Sequence, residues 1–280
     1  MGYYCDLHTH SHYSDGTCAP SEILAAAAAM ALSAVALTDH NTIAGLPEFL
    51  RSAREYPVQA SPGVEISTRY GEKELHIVGL FLPPASFASV SAFLDDFNRQ
   101  KENSNRALVQ VLNRAGYSLD YEEIRAAHPD GTVNRAVIAA ALLEKGYVDS
   151  VSVAFTGLLS RKAGFYVPPE RPSAFDTIAF LRHIHAVPVL AHPFLNLKEE
   201  ELRRFLPEAK AHGLAAMETL YSGYTPEITA AARDLAGEFG LLESGGSDFH
   251  GETKPQIRLG TGKGTLAVPA AFADALQSCI

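Results

Sequence analysis

Short apolar runs followed by stretches of helical periodicity recur at both ends of this 280-residue chain. Residues 3–8 read as a short buried strand. Residues 20–30 read as a helix, with Ile23, Leu24, Ala27 and Ala28 on one stripe after Ser21 as its cap. Residues 33–37 form a second apolar run, 45–55 a second helix and 58–64 a third strand. Tyr70-Gly71-Glu72 then predicts a hairpin turn, with a return strand over 75–80. This β-α-β-α-β alternation predicts a parallel sheet or barrel.

Between residues 89 and 159 the rhythm breaks and only helical periodicity remains, over 90–114, 121–127, 134–144 and 151–158. Gly116, Pro129-Asp130-Gly131 and Gly146 punctuate these helices. Residues 98–106 are polar almost throughout, which suits solvent or a wet cleft. We read 94–168 as a helical insertion, a lid over the barrel, with Pro168-Pro169 and Pro172 marking the return. The alternation resumes with helices over 175–184, 199–211 and 226–239 and strands over 188–191, 214–220 and 241–245. A strand over 265–268 and a helix over 270–279 close the chain. The predicted organisation is one α/β barrel domain, residues 1–93 with 169–280, interrupted by the insertion.

Composition narrows the class. Hydrophobic residues make up 47% of the chain, mean hydropathy is zero, and no run approaches the roughly 20 apolar residues of a membrane helix. The first strand begins almost at once, so no signal peptide is expected. Cys5, Cys18 and Cys279 are three scattered cysteines, which argues against a disulfide framework and for a reducing cytoplasm. The net charge of −9 speaks against a general nucleic-acid binder. Residues 94–168 are balanced, however, with nine Lys/Arg against nine Asp/Glu. The deficit lies elsewhere, partly in carboxylates that bound cations would offset, so anionic substrates stay within reach.

Those carboxylates and their neighbouring histidines carry the chemistry. His8 and His10 alternate on one face of a strand end, and Asp15 follows in the next loop. His40, Glu65, His192, Asp248 and His250 each fall where a predicted strand ends, and His76 lies on the return strand beside Glu65. In (β/α) barrels that end of the strands bears the reactive groups. Nitrogen and oxygen donors without thiolate suit Mn, Fe or Zn, and nine donors exceed what one ion needs. Two or three ions are implied, with Glu65 the natural bridge. Ions about 4 Å apart can hold a hydroxide as nucleophile and neutralise a phosphate.

The ordered set Asp6-Leu7-His8-Thr9-His10, Ser14-Asp15-Gly16, Leu37-Thr38-Asp39-His40, Gly63-Val64-Glu65, His76-Ile77-Val78-Gly79, Ala191-His192-Pro193 and Gly246-Ser247-Asp248-Phe249-His250 resembles the polymerase-and-histidinol-phosphatase (PHP) family of phosphoesterases. The resemblance covers nearly the whole chain. It implies a distorted (β/α)7 barrel holding up to three metals, manganese first among them. His8, His10, Glu65 and Asp248 would hold one ion, Glu65, His76 and His192 a second, and Asp15, His40 and His250 a third. Glu65, Asp248 and His192 would then be the catalytic centre. The inserted helices look like the branch that includes 3′,5′-nucleotide bisphosphate phosphatases and 5′→3′ ribonucleases. Arg135 matches a phosphate-binding arginine there, although Val137 stands where that branch has histidine. Lys162 approximates a second basic position, shifted by a residue.

The expected activity is therefore metal-dependent hydrolysis of a phosphomonoester on a small nucleotide-like substrate or a short RNA 5′ end. A phosphatase of another metabolite, such as histidinol phosphate, is the alternative. A non-catalytic metal-binding module is disfavoured because every ligand position is filled. Neither a membrane nor an obligate protein partner is expected. Asp39 reads as an orienting partner of His40 or its neighbours, Glu218 as part of a polar network below the metals, and His12 as a rim residue. A Gly-x-Ser-x-Gly elbow and a Walker loop are both absent from the sequence.

Overall fold

The computed structural model describes residues 3–128, 133–167 and 169–280. The Pro129-Asp130-Gly131 turn and the Pro168 of the expected return lie outside the described residues. The chain divides into two compact units, residues up to Ser91 together with Pro172–Ile280, and Ala92–Arg171.

The strands of the first unit are β1 (Tyr4–Asp6), β2 (Ala34–Leu37), β3 (Gln59–Pro62), β4 (Val64–Tyr70), β5 (Lys73–Leu80), β6 (Val187–Ala191), β7 (Ala216–Tyr221), β8 (Leu242–Gly246) and β9 (Val268–Pro269). Its helices are α1 (Pro20–Ala29) and α2 (Leu46–Ser52), then, beyond four that belong mainly to the second unit, α7 (Ala174–His183), α8 (Glu199–Ala211), α9 (Pro226–Phe239) and α10 (Ala270–Gln277). Among the described residues the strands do not close into the distorted (β/α)7 barrel that the resemblance implies. The strands hydrogen-bond as two sheets, in the orders β3-β2-β1-β9 and β4-β5-β6-β7-β8. β9, the edge strand of the first sheet on that side, has only two residues, too few for a continuous ladder to the edge strand β8. The third expected strand is also split at Gly63, where a Cβ would stand 2.9 Å from the Gly79 carbonyl oxygen. The β4–β5 hairpin makes β5 antiparallel to both neighbours, while β6, β7 and β8 run parallel.

Hydrogen bonds beyond the strand ends join the two sheets. The Asp248 N–H donates to the His8 carbonyl at 2.9 Å and the His10 N–H to the Phe249 carbonyl at 2.9 Å. On the other side, Glu65 N–H donates to Thr38 O at 3.1 Å and Asn41 N–H to Glu65 O at 2.8 Å, while Thr38 N–H to Thr9 O at 2.9 Å holds the ends of β1 and β2 together. These bonds set four chain segments side by side, those of His8–His10, Thr38–Asn41, Glu65 and Asp248–Phe249. Leu7, Ala36, Val78, Leu80, Val187, Val189, Ala216 and Leu276 pack the apolar core of this unit.

Three local expectations are corrected. Ser21 does not cap α1: Ala19 is the N-cap and Pro20 the first helical residue, while the Ser21 hydroxyl donates to Glu48 at 2.9 Å. Glu22 does the capping instead, accepting from the Ala19 N–H at 2.7 Å. Glu65 is the second residue of β4 and does not end a strand, and the last strand is only Val268–Pro269. Among the described residues, no helix is long and apolar enough to cross a membrane.

The second unit is helical. It begins within α3 (Phe87–Arg114) and contains α4 (Tyr121–Ala126), α5 (Arg135–Glu144) and α6 (Val151–Thr156). Asp120, Asn134 and Ser150 cap the last three through side-chain oxygens that accept from the first-turn N–H groups. Leu108, Leu112, Ile138, Leu142 and Leu159 are fully buried in its core.

Gly246 has no room for a side chain, since a Cβ there would lie 2.4 Å from the His8 Cβ and 2.5 Å from the His8 nitrogen. Gly246→Ala should therefore lower unfolding free energy by about 1–3 kcal/mol, the usual cost of overpacking. Urea denaturation measures it, and an unchanged midpoint would show that the two segments can part without cost.

Candidate metal centre

His8 and His10 lie two and four residues past β1, and both side chains are fully buried. Asp15 follows in the next loop and His40 lies three residues past β2. Glu65 is in β4, His76 in β5, His192 follows β6, and Asp248 and His250 follow β8. His192 and Asp248 hold left-handed backbone, with φ of 28° and 58°. Such conformations cost about 1–3 kcal/mol each for residues other than glycine and concentrate at functional sites.

The structure brings all nine residues together around Glu65. Its Oε1 lies 2.7 Å from His76 Nδ1 and 2.9 Å from His192 Nε2. Its Oε2 lies 2.9 Å from His40 Nδ1, 3.2 Å from His8 Nε2 and 3.3 Å from His10 Nε2. Asp248 Oδ1 is 3.2 Å from His10 Nε2, and Asp15 Oδ1 is 3.2 Å from His250 Nε2. Three groups each bring one donor atom per residue within 4.8 Å of the others: His8, His10 and Glu65; His40, Glu65 and His76; and His10, Asp15, His40 and His250. His10 and His40 thus stand within reach of two groups each, one more than the resemblance implies for either.

The donors fit divalent cations. His8 Nε2, His10 Nε2, Asp15 Oδ1, Glu65 Oε2 and His250 Nε2 are buried and make no hydrogen bond of proper geometry. A buried polar atom left without a partner costs about 1–3 kcal/mol, so five converging on one place mark a site built for another occupant. Imidazole and carboxylate without thiolate suit Mn, Fe or Zn.

A second layer orients these donors. Glu218, buried in the middle of β7, puts Oε1 2.7 Å from His8 Nδ1 and accepts the His192 N–H on Oε2 at 2.6 Å. One carboxylate therefore turns the His8 ring and fixes the His192 backbone, the polar network expected below the metals. Asp39 orients the neighbours of His40 through the Ser11–Ser14 loop. Its carboxylate accepts from Ser11 N–H, Ser11 Oγ and Ser14 Oγ, each at 2.7 Å, which ties down the loop leading to Asp15. Tyr221 and Lys254, which sequence reasoning missed, both donate to Asp248 Oδ2, at 3.0 and 2.8 Å. The His12 ring stacks on Tyr13 at 4.5 Å between centroids. In the second unit, the Arg135 guanidinium lies 4.4 Å over the Tyr166 ring and 5.5 Å from Phe155. Lys162 lines a cavity of about 550 Å³ with Tyr117, Tyr147 and Asp149.

Electrostatics follow the geometry. Burial alone would push the Glu65 carboxyl up, but the imidazoles of His40, His76 and His8 outweigh it and hold Glu65 well below the usual carboxylate range. Asp248 and Asp15 are held down in the same way, against burial, by His10 and His8 and by His40 and His250 respectively. Burial opposes charge on His76, yet Glu65 raises it to about 10.

With this geometry established, comparison with known proteins is decisive. The PHP domain model matches residues 6–162, more than half of the chain. The chain belongs to the PHP domain family. It is 32% identical over 246 residues to the 5′-3′ exoribonuclease of Haemophilus influenzae, covering 88% of this chain and 89% of that protein. It is 29% identical over 247 residues to the 3′,5′-nucleoside bisphosphate phosphatase of Chromobacterium violaceum, covering 88% and 86%. A crystal structure described as a metal-dependent phosphoesterase from Bifidobacterium adolescentis superposes with a TM-score of 0.87 at 25% identity, covering 100% of this chain and 97% of that one. This PHP protein is accordingly a metal-dependent phosphoesterase, a hydrolase of ester bonds.

The raised pKa values of His8, His40 and His76 carry a stability consequence. Burial disfavours their protonation, but carboxylates outweigh it. Protonation of these three stabilises the metal-stripped fold fully below the unfolded histidine value of about 6.5, and that stability is lost as pH rises through each raised folded-state value, about 10 for His76. His10, held down first by burial, works in the opposite sense, one group against three. Metal-stripped protein should therefore lose thermal stability above about pH 6.5. Mn²⁺, which needs neutral imidazoles, should raise Tm more at about pH 8.5 than at about pH 6.5. Equal Tm shifts at both pH values would contradict this coupling.

Proposed function

We propose that this PHP protein removes a terminal phosphate from a nucleotide-like substrate, either a nucleoside 3′,5′-bisphosphate or the 5′ end of a short RNA. The observation that carries the reading is the convergence of three carboxylates and six imidazoles from both sheets, with buried donor atoms left open toward one another. The names of the relatives, a 5′-3′ exoribonuclease and a nucleoside bisphosphate phosphatase, support the substrate class.

His8, His10, Glu65 and Asp248 are the candidate ligands of one ion, Glu65, His76 and His192 of another, and Asp15, His40 and His250 of a third, with manganese the first choice. Divalent cations held there supply water of lowered pKa and neutralise phosphate charge. Glu65 offers one oxygen to His76 and His192 and the other to His8, His10 and His40, which suits a shared ligand. Glu218 keeps His8 Nε2 turned inward by engaging Nδ1. In the helical unit, Arg135 is the candidate contact for a substrate anion. Its guanidinium lies over the Tyr166 ring at 4.4 Å, and its planar fork suits phosphate oxygens. Lys162 is a second candidate of the same kind.

Phosphate release under Mn²⁺ tests the substrate. A nucleoside 3′,5′-bisphosphate should show higher kcat/KM than the matching 5′-monophosphate, and Arg135→Ala should shrink that preference without changing metal content. Equal turnover of the two, or of a plain sugar phosphate or histidinol phosphate, would make the protein a general small-molecule phosphatase. If Glu65 is shared, Glu65→Gln should lower both metal content and kcat more than Asp15→Asn does. The reverse order would reject the shared role.

A further inference from the structure

Asp248 is divided between two environments. It sits in the bend after β8 with φ of 58°, and its carboxylate is almost fully buried. Oδ1 faces the imidazole cluster, 3.2 Å from His10 Nε2, 3.5 Å from His250 Nδ1 and 3.8 Å from His8 Nε2. Oδ2 points the other way and accepts from both the Tyr221 hydroxyl at 3.0 Å and the Lys254 ammonium at 2.8 Å. Tyr221 ends β7, and Lys254 follows a short helical turn at Gly251–Thr253. Lys254 N–H donates to Gly251 O at 3.2 Å, and Lys254 O accepts from Ile257 N–H at 2.9 Å, so its backbone is anchored on both sides.

We propose that Tyr221 and Lys254 are positioning residues, a two-donor clamp on Oδ2 that makes Asp248 a one-oxygen ligand through Oδ1. The proposal rests on the reading of Asp248 as a metal ligand. A carboxylate on a freely rotating side chain loses orientational entropy when it binds an ion, and donors fixed on its outer oxygen remove that cost beforehand. The rival explanation is charge balance alone, in which Lys254 only neutralises a buried carboxylate. The two differ in sign. Removing a nearby positive charge without loss of orientation should tighten cation binding by Coulomb's law. Removing a clamp should weaken it.

Metal-stripped protein titrated with Mn²⁺, with free Mn²⁺ read from its electron paramagnetic resonance signal, decides between them. Tyr221→Phe and Lys254→Met should each raise the Kd of the affected site by about ten-fold, within the range usual for partners of metal ligands. Lys254→Arg should recover most of the loss. Tyr221→Phe keeps the ring, which also lines a cavity of about 620 Å³ with Tyr224, Leu220 and Leu266, so lost packing would not explain its effect. Tighter Mn²⁺ binding by Lys254→Met, or unchanged binding by both variants, overturns the clamp. Asp248→Asn separates the two levels of the argument. If it alone weakens binding, the clamp fails and the ligand reading stands. If it binds Mn²⁺ as tightly as wild type, the ligand reading fails and the clamp with it.

Discussion

A single buried carboxylate sets the terms for this molecule. Glu65 is fully buried, and five imidazoles lie within 3.3 Å of its two oxygens. An isolated charge in such a place would cost several kcal/mol. Here it is offset by rings drawn from segments after β1, β2 and β6 and from β5. The attraction is mutual, because Glu65 raises His76 and His40 while they hold it down. Divalent cations would complete that balance by giving the open nitrogens and oxygens a common partner.

Two further buried acids hold the frame in which this happens. Asp6 accepts from the Ser247 N–H at 2.8 Å and the Gly260 N–H at 2.7 Å, tying β1 to the segments near β8 and β9. Asp39 gathers the Ser11 and Ser14 side chains. Burial pushes both carboxyls upward, and the hydrogen bonds they accept pull the other way. Neither faces the imidazoles as a donor. They brace the loops that do. Glu218 has the corresponding task within β7, and Tyr221, three residues on, reaches Asp248 from the same strand.

Much of this could be read from the chain itself. Apolar runs mark strands because a sheet covered on both faces needs them, and each metal-site candidate follows or lies within one. Nitrogen and oxygen donors in a chain with three scattered cysteines already point to hard or borderline cations. Periodicity places the starts of α5 and α6 within one residue of the side-chain caps Asn134 and Ser150 that the structure shows, whereas Ser21, expected as a cap, bonds Glu48 instead.

Tertiary structure decided what periodicity has no means of encoding. Whether strands close into a barrel depends on ladder length and register, and the two-residue edge strand β9 is too short to carry it, so the two sheets meet through a few backbone bonds near the strand ends. Glu65 occupies the start of β4 because the backbone at Gly63 packs against β5, a contact between residues sixteen apart. The partners of the donors are similarly remote: Glu218 is 210 residues from His8, and Tyr221 is 27 from Asp248. Local sequence sets which residues can ligate, through side-chain chemistry and strand period. Which oxygen of each carboxylate faces inward is set by donors that only the fold brings near.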